Sequence, residues 1–139
     1  MMLSDSFTPL EIAVMRLLLA GDDPVLVILR EQFDQAKLQS RKFTGVGFYT
    51  RFAVSADIQR LPGNPSFFFG DVEAAITPIQ HGAGFLLRVT DGIVDFLEGY
   101  TYDEPWPDEI TGFTVGYIEG ERDMRKVKKM WSQECSILD

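Results

Sequence analysis

The run AGFLLRVTDGIVDFLEGYTY, residues 83–102, constrains this chain more than any other part of it. Asp91-Gly92 sits between two alternating apolar segments, the pattern of a two-residue type I′ turn closing a β-hairpin. A clean turn sets Thr90 opposite Ile93. The register then pairs Val89 with Val94, Arg88 with Asp95 and Leu87 with Phe96. Arg88 and Asp95 are expected to form a cross-strand ion pair. On the other face Leu86 meets Leu97 and Gly84 meets Gly99. In this register Glu98 falls on the apolar face opposite Phe85, and His81 falls on the same face near Tyr102. A carboxylate among Phe and Val is costly unless it is paired or protonated. That face is therefore expected to open to water, a polar cleft or a partner toward Tyr100.

Ahead of the hairpin the chain predicts two helices. In SFTPLEIAVMRLLLAG, Thr8 caps, Pro9 takes the first helical position and Glu11 completes a capping box. Leu10, Val14, Leu17 and Leu18 form one apolar stripe, and Gly21 is the expected stop. In GDDPVLVILREQFDQAK, Asp23 caps and Pro24 opens; Val25, Leu26, Leu29, Phe33 and Ala36 recur on one face. So short a link predicts an antiparallel helix pair. A period of two then marks strand 44–54, with Val46, Phe48, Phe52 and Val54 on one side and Gly45 and Gly47 baring the other. FFFGDVEAAI reads as one strand with Phe68, Val72, Ala74 and Ile76 aligned. TGFTVGYIEG supplies the last strand, with Phe113, Val115 and Tyr117 together. ERDMRKVKKMW predicts a short final helix showing Met124, Val127 and Trp131. The expected fold is a single α+β domain over residues 1–139: two N-terminal helices packed on a 4–5 stranded antiparallel sheet, then a short C-terminal helix.

With 139 residues and a formal net charge of −8, the chain lacks the positive surface that phosphate binding needs, so no nucleic acid is expected. A basic protein partner fits that balance. Cys135 is the one cysteine, which excludes an internal disulfide and points to a reducing, cytoplasmic setting; a catalytic thiol so near the end is not expected. No apolar run reaches membrane-span length, and the start carries no secretion pattern, so no membrane partner is expected. The single histidine leaves no zinc set. No phosphate loop, nucleophile elbow or Cys-x-x-Cys occurs. No metal or cofactor is expected.

Charge layout is the more specific signal. Residues 89–121 hold nine acids and no Lys or Arg, and Arg122, Arg125, Lys126, Lys128 and Lys129 follow directly. Within that stretch YTYDEPWPDEI stops the strand with Pro105 and Pro107 around Trp106. Aromatic side chains of this kind serve as interface anchors, and acids around them select a basic surface. The plainer account is that Trp106 folds back on the core. The leading expectation is a small acidic interaction protein that binds a basic protein partner through the acidic aromatic loop 98–109. The binding residues are then Glu98, Tyr100, Tyr102, Asp103, Glu104, Trp106 and His81. Small acidic immunity proteins resemble this chain in size and charge, which implies an immunity- or inhibitor-like role. The phrase LEGYTYDEPWP resembles a bacterial family, a likeness that implies no activity. The alternative is an enzyme or small-molecule-binding protein with a cleft around Glu98, Tyr100 and His81, with Tyr49 or Arg51 beside them. A cavity of roughly 300 Å³ or more on Glu98 and Tyr100 favours that alternative. A third option is a homodimer joined along strand 44–54.

Overall fold

The computed structural model describes residues 6–138, with side chains described through Ser132. The side chain of Cys135 lies outside the described residues. The chain runs α1 (Pro9–Leu18), α2 (Pro24–Gln35), β1 (Lys37–Phe43), β2 (Gly47–Ala53), β3 (Phe67–Phe69), β4 (Val72–Thr77), β5 (Ala83–Thr90), β6 (Ile93–Thr101), β7 (Gly112–Tyr117) and α3 (Met124–Leu138). It is an α+β fold on an antiparallel sheet of seven strands rather than four or five, in the order β1-β2-β6-β5-β4-β7 with β3 also on β5. Two features account for the difference. Lys37–Phe43 is a strand whose residues are almost all exposed, so it carries no alternating apolar signal. The run 67–76 is two strands broken at Gly70-Asp71. The break also shifts the side-chain phase. Phe67 and Phe69 are buried with Val72, Ala74 and Ile76, while Phe68 faces the other way.

Both helix starts form through local chemistry. The Thr8 hydroxyl accepts from the Glu11 N–H and the Glu11 carboxylate accepts from the Thr8 N–H, closing the capping box. Asp23 accepts from the Val25 N–H. The last carbonyls of α1 are taken by distant groups. Arg30 donates to the Leu19 and Gly21 carbonyls, Arg122 to Leu18 and Ala20, and the Tyr117 hydroxyl to Leu17. Helix α1 makes its main contacts with β4 and β7, and α2 with β6. Helix α3 lies on β3, where the Trp131 ring meets Phe67 and Phe69. One cluster of buried side chains joins Leu10, Val14, Leu26, Leu29, Phe85, Leu97 and Val127.

The hairpin forms where expected and then departs from its register. Asp91 and Gly92 take φ of 51° and 79°, the positive pair that a type I′ turn requires. Thr90 faces Ile93 and Val89 faces Val94. Asp95 is then an extra residue, a β-bulge, so that Arg88 faces Phe96, Leu87 faces Leu97, Leu86 faces Glu98, Phe85 faces Gly99 and Gly84 faces Tyr100. A slip of one residue turns every later side chain to the opposite face. Glu98 therefore leaves the apolar side, and Leu87 and Leu97, both fully buried, meet inside. Asp95 bonds to Arg51 at 2.9 Å and accepts from the Thr90 hydroxyl at 2.8 Å, while Arg88 Nε donates to that same hydroxyl. Arg88 and Asp95 thus meet through Thr90, and Arg88 also stacks over Phe68.

Candidate functional site

Beyond the bulge, β6 presents Phe96, Glu98 and Tyr100 on the face away from the core cluster. The Tyr49 hydroxyl donates to Glu98 at 3.1 Å, and that bond, with the adjacent negative charge, raises the Tyr49 phenol above its ordinary range. Tyr100 and Tyr102 cross edge to face at 5.7 Å. Their hydroxyls stand 2.6 Å from where a Cβ on Gly84 would be, so only glycine lets both rings lie there. Burial, then the neighbouring Tyr102, then Glu98 push the Tyr100 phenol up to about 12. A raised folded-state value means stability that is complete below the ordinary tyrosine range and is lost as pH climbs through it toward 12. In an alkaline titration followed by phenolate absorbance, Tyr100→Phe is expected to delete the step near 12. A Tyr100 that titrates with free tyrosine would contradict the packing over Gly84.

The loop after β6 is held by its own polar groups. The Thr101 N–H donates to the Val46 carbonyl, the single hydroxyl hydrogen of Thr101 is shared between the Val46 and Glu104 carbonyls, and the Trp106 N–H donates to the Gly45 carbonyl. Glu104 accepts from the main-chain N–H groups of Gln80 and His81, at 2.7 Å in the second case. Those bonds to the anion, the His81 one foremost, hold the Glu104 carboxyl below its ordinary range. His81 and Tyr102 line one recess of about 430 Å³ beside Glu73 and Thr114.

Trp106 goes elsewhere. Its ring packs edge to face on Phe48 at 5.1 Å, half-buried against the core. It walls a cleft of about 400 Å³ with Phe43, Phe48, Arg41, Ile110 and Phe113. The floor includes Glu11, which is 2% exposed. Its carboxylate accepts from Arg41 Nε and Nη2 at 2.8 and 2.6 Å and from the Thr50 hydroxyl at 2.5 Å, besides capping α1. Neither Glu98 nor Tyr100 lines this cleft.

No family model, curated protein or solved structure matches this chain.

The expected site residues therefore divide. Glu98 joins Tyr49, Tyr100 joins Tyr102, His81 joins Glu104 through its main chain, and Trp106 stands apart with Phe48. Asp103 is exposed at the tip, with a φ of 57°. Phe43 and Val46 are site residues that the expected set lacks; Val46, aligned with Phe48 in the expected strand 44–54, lies instead before β2, which starts at Gly47. They are 62% and 55% exposed, on the turn that joins β1 to β2, and Tyr102 is 42% exposed at the same end. Thr44-Gly45 between two apolar residues is the turn signal that marks them, and strand periodicity masked it. The nine acids do not all gather here. Asp91 lies at the opposite end of the hairpin, and Glu119 binds Lys126 near α3. Strand β2 has β1 and β6 on its two edges, so it offers no free edge for strand pairing. Among the described residues no group of His, Cys, Asp or Glu is arranged to hold a metal, and no helix is long and apolar enough to cross a membrane.

Proposed function

We propose that this protein docks a basic protein partner through the tip formed by the 43–46 turn and the 102–109 loop. One observation carries the reading. Of the four exposed large hydrophobic side chains among the described residues, Phe43, Val46 and Tyr102 share this end. Asp103, Asp108 and Glu109 rise from the same loop, exposed and without a hydrogen-bond or ion-pair partner among the described residues. Apolar anchors supply contact energy, and unpaired acids around them favour positive partners and speed encounter. Much of the basic cluster on this chain is already matched: Arg122 binds Asp71, Lys126 binds Glu119 and Lys128 binds Asp23. An inhibitor of a basic protein, as immunity proteins are, is the role that suits such a tip.

The test needs residues the fold does not use. Trp106 and Glu104 hold the loop in place, so replacing them would unsettle it. Phe43→Ser, Val46→Ser and Asp103→Asn together remove two anchors and one charge of the tip; Phe43 also lines the cleft under Trp106, and asparagine accepts the positive φ at 103. The triple variant is expected to fold as wild type and to bind the partner at least about tenfold more weakly. Capture from cell lysate, read by mass spectrometry with wild type alongside, checks this. Equal recovery of every protein by the two forms would remove the proposal, and a captured partner that resists raised salt would remove its electrostatic part. The cleft under Trp106 supports a second reading, a small ligand with an apolar body, because its volume falls within the range of ligand sites.

A further inference from the structure

The two outer strands of the sheet are guarded very differently. Strand β1 carries Lys37, Arg41 and Lys42 and a register shift between Leu38 and Ser40, the devices that keep an edge from pairing. Strand β7 is Gly112–Tyr117, with no charge, proline or bulge within it. It ends the sheet, and no strand lies beyond it among the described residues. Its free groups follow from the register. The Ile118 N–H donates to the Asp71 carbonyl, so in this antiparallel ladder Thr114 and Gly116 point their main-chain groups toward β4. Phe113, Val115 and Tyr117 point theirs away from it, and the Tyr117 carbonyl is taken by the Gly120 N–H, so the free groups are those of Phe113 and Val115. Their side chains are only half-buried, whereas Val72, Ala74 and Ile76 on the neighbouring strand are sealed. The apolar layer is thus less complete on β7 than on β4.

Charge says what completes it. Asp108 and Glu109 precede β7, and Glu119 and Glu121 follow it. Glu119 is engaged by Lys126; Asp108, Glu109 and Glu121 are exposed. A second copy laid antiparallel about Val115 would set Glu109 against Glu121 at both ends, which is repulsive. We infer that β7 is a strand-addition site for an extended segment of a partner, with an alternating uncharged centre and Lys or Arg at its ends. Main-chain bonds to Phe113 and Val115 supply the grip, and the flanking acids set partner choice. This surface shares Asp108 and Glu109 with the tip but does not depend on Phe43, Val46 or Asp103.

The probe is a synthetic peptide of order Lys-Lys-Thr-Val-Thr-Val-Thr-Lys-Lys, added to the full chain. Hydrogen exchange at single amides is the readout. The Phe113 and Val115 N–H groups are expected to gain protection, while Thr114 and Gly116, already bonded to β4, change little. The same peptide with Glu at its ends is expected to bind about tenfold more weakly, as several rim charge pairs are lost together. Val115→Pro removes an outward N–H, which an edge strand tolerates, and is expected to abolish the effect. A peptide N-methylated through its centre does the same test from the other side, whether or not that variant folds. Absence of protection at Phe113 and Val115, or equal binding of the N-methylated peptide, overturns the inference. So does protection of those amides that grows with protein concentration before any peptide is added, since the occupant is then a second copy.

Discussion

Replacing Glu11 by Ala is expected to cost about 3–5 kcal/mol of folding stability, the range for breaking a buried charge pair by removing one partner. The Glu11 side chain is 3% exposed and that of Arg41 14% exposed, so neither can fall back on bulk water. The carboxylate accepts from the Thr8 main chain, from two nitrogens of Arg41 and from the Thr50 hydroxyl, a set that joins α1, β1 and β2. Removing it takes away the reciprocal half of the α1 capping box and strands the guanidinium together. Proteins of this size hold only about 5–15 kcal/mol in all, so the variant should unfold at much lower urea than wild type. A measured loss below about 1 kcal/mol would show that the network is open to water. The effect reaches the tip as well, because Arg41 and Glu11 line the cleft that Trp106 walls.

Gln32→Leu is the second large effect. Gln32 has no exposed surface. Its amide nitrogen donates to the Gln59 and Gly92 carbonyls, each at 2.9 Å, and its amide oxygen accepts from the Val94 N–H at 2.9 Å. One side chain of α2 thereby holds the hairpin turn and the loop before β3. A leucine of similar size leaves the Val94 N–H buried and unbonded. The expected cost is about 2–4 kcal/mol, since each orphaned buried group costs roughly 1–3. Amide exchange at Val94 should quicken beyond what the global loss explains. Gln35→Leu, at an exposed position on the same helix, should change stability by less than about 0.5 kcal/mol. If the two substitutions prove alike, the hairpin does not lean on α2.

Gln32 shows where sequence reading loses sight of a fold. It stands in a helix whose apolar stripe is legible, yet a glutamine is ordinarily assigned to the wet side. Only the turn carried to it from residues 92–94 makes burial favourable. The bulge at Asp95 is of the same kind. The dipeptide Asp91-Gly92 specifies the turn and the first two pairs, and every later pair follows from where Asp95 settles. It settles on Arg51 of β2, 44 residues away in the chain. That contact carries Glu98 from the apolar side to Tyr49 and redraws the site that the clean register implied. Lys37–Phe43 carries no readable period because five of its seven residues are exposed and one of the two partly buried ones, Arg41, is a cation. Phe43 and Val46 are apolar in composition but exposed by position, and composition cannot distinguish the two.

Local chemistry was enough for the starts of α1 and α2, the Asp91-Gly92 bend and the α+β character, because each cap and turn closes within a few residues and needs no distant partner. The tertiary structure alone decided the seventh strand, the face on which Glu98 stands, the inward fold of Trp106 and the bare edge of β7. Each of those is set by groups far apart in sequence, whose meeting costs chain entropy that only the assembled core offsets.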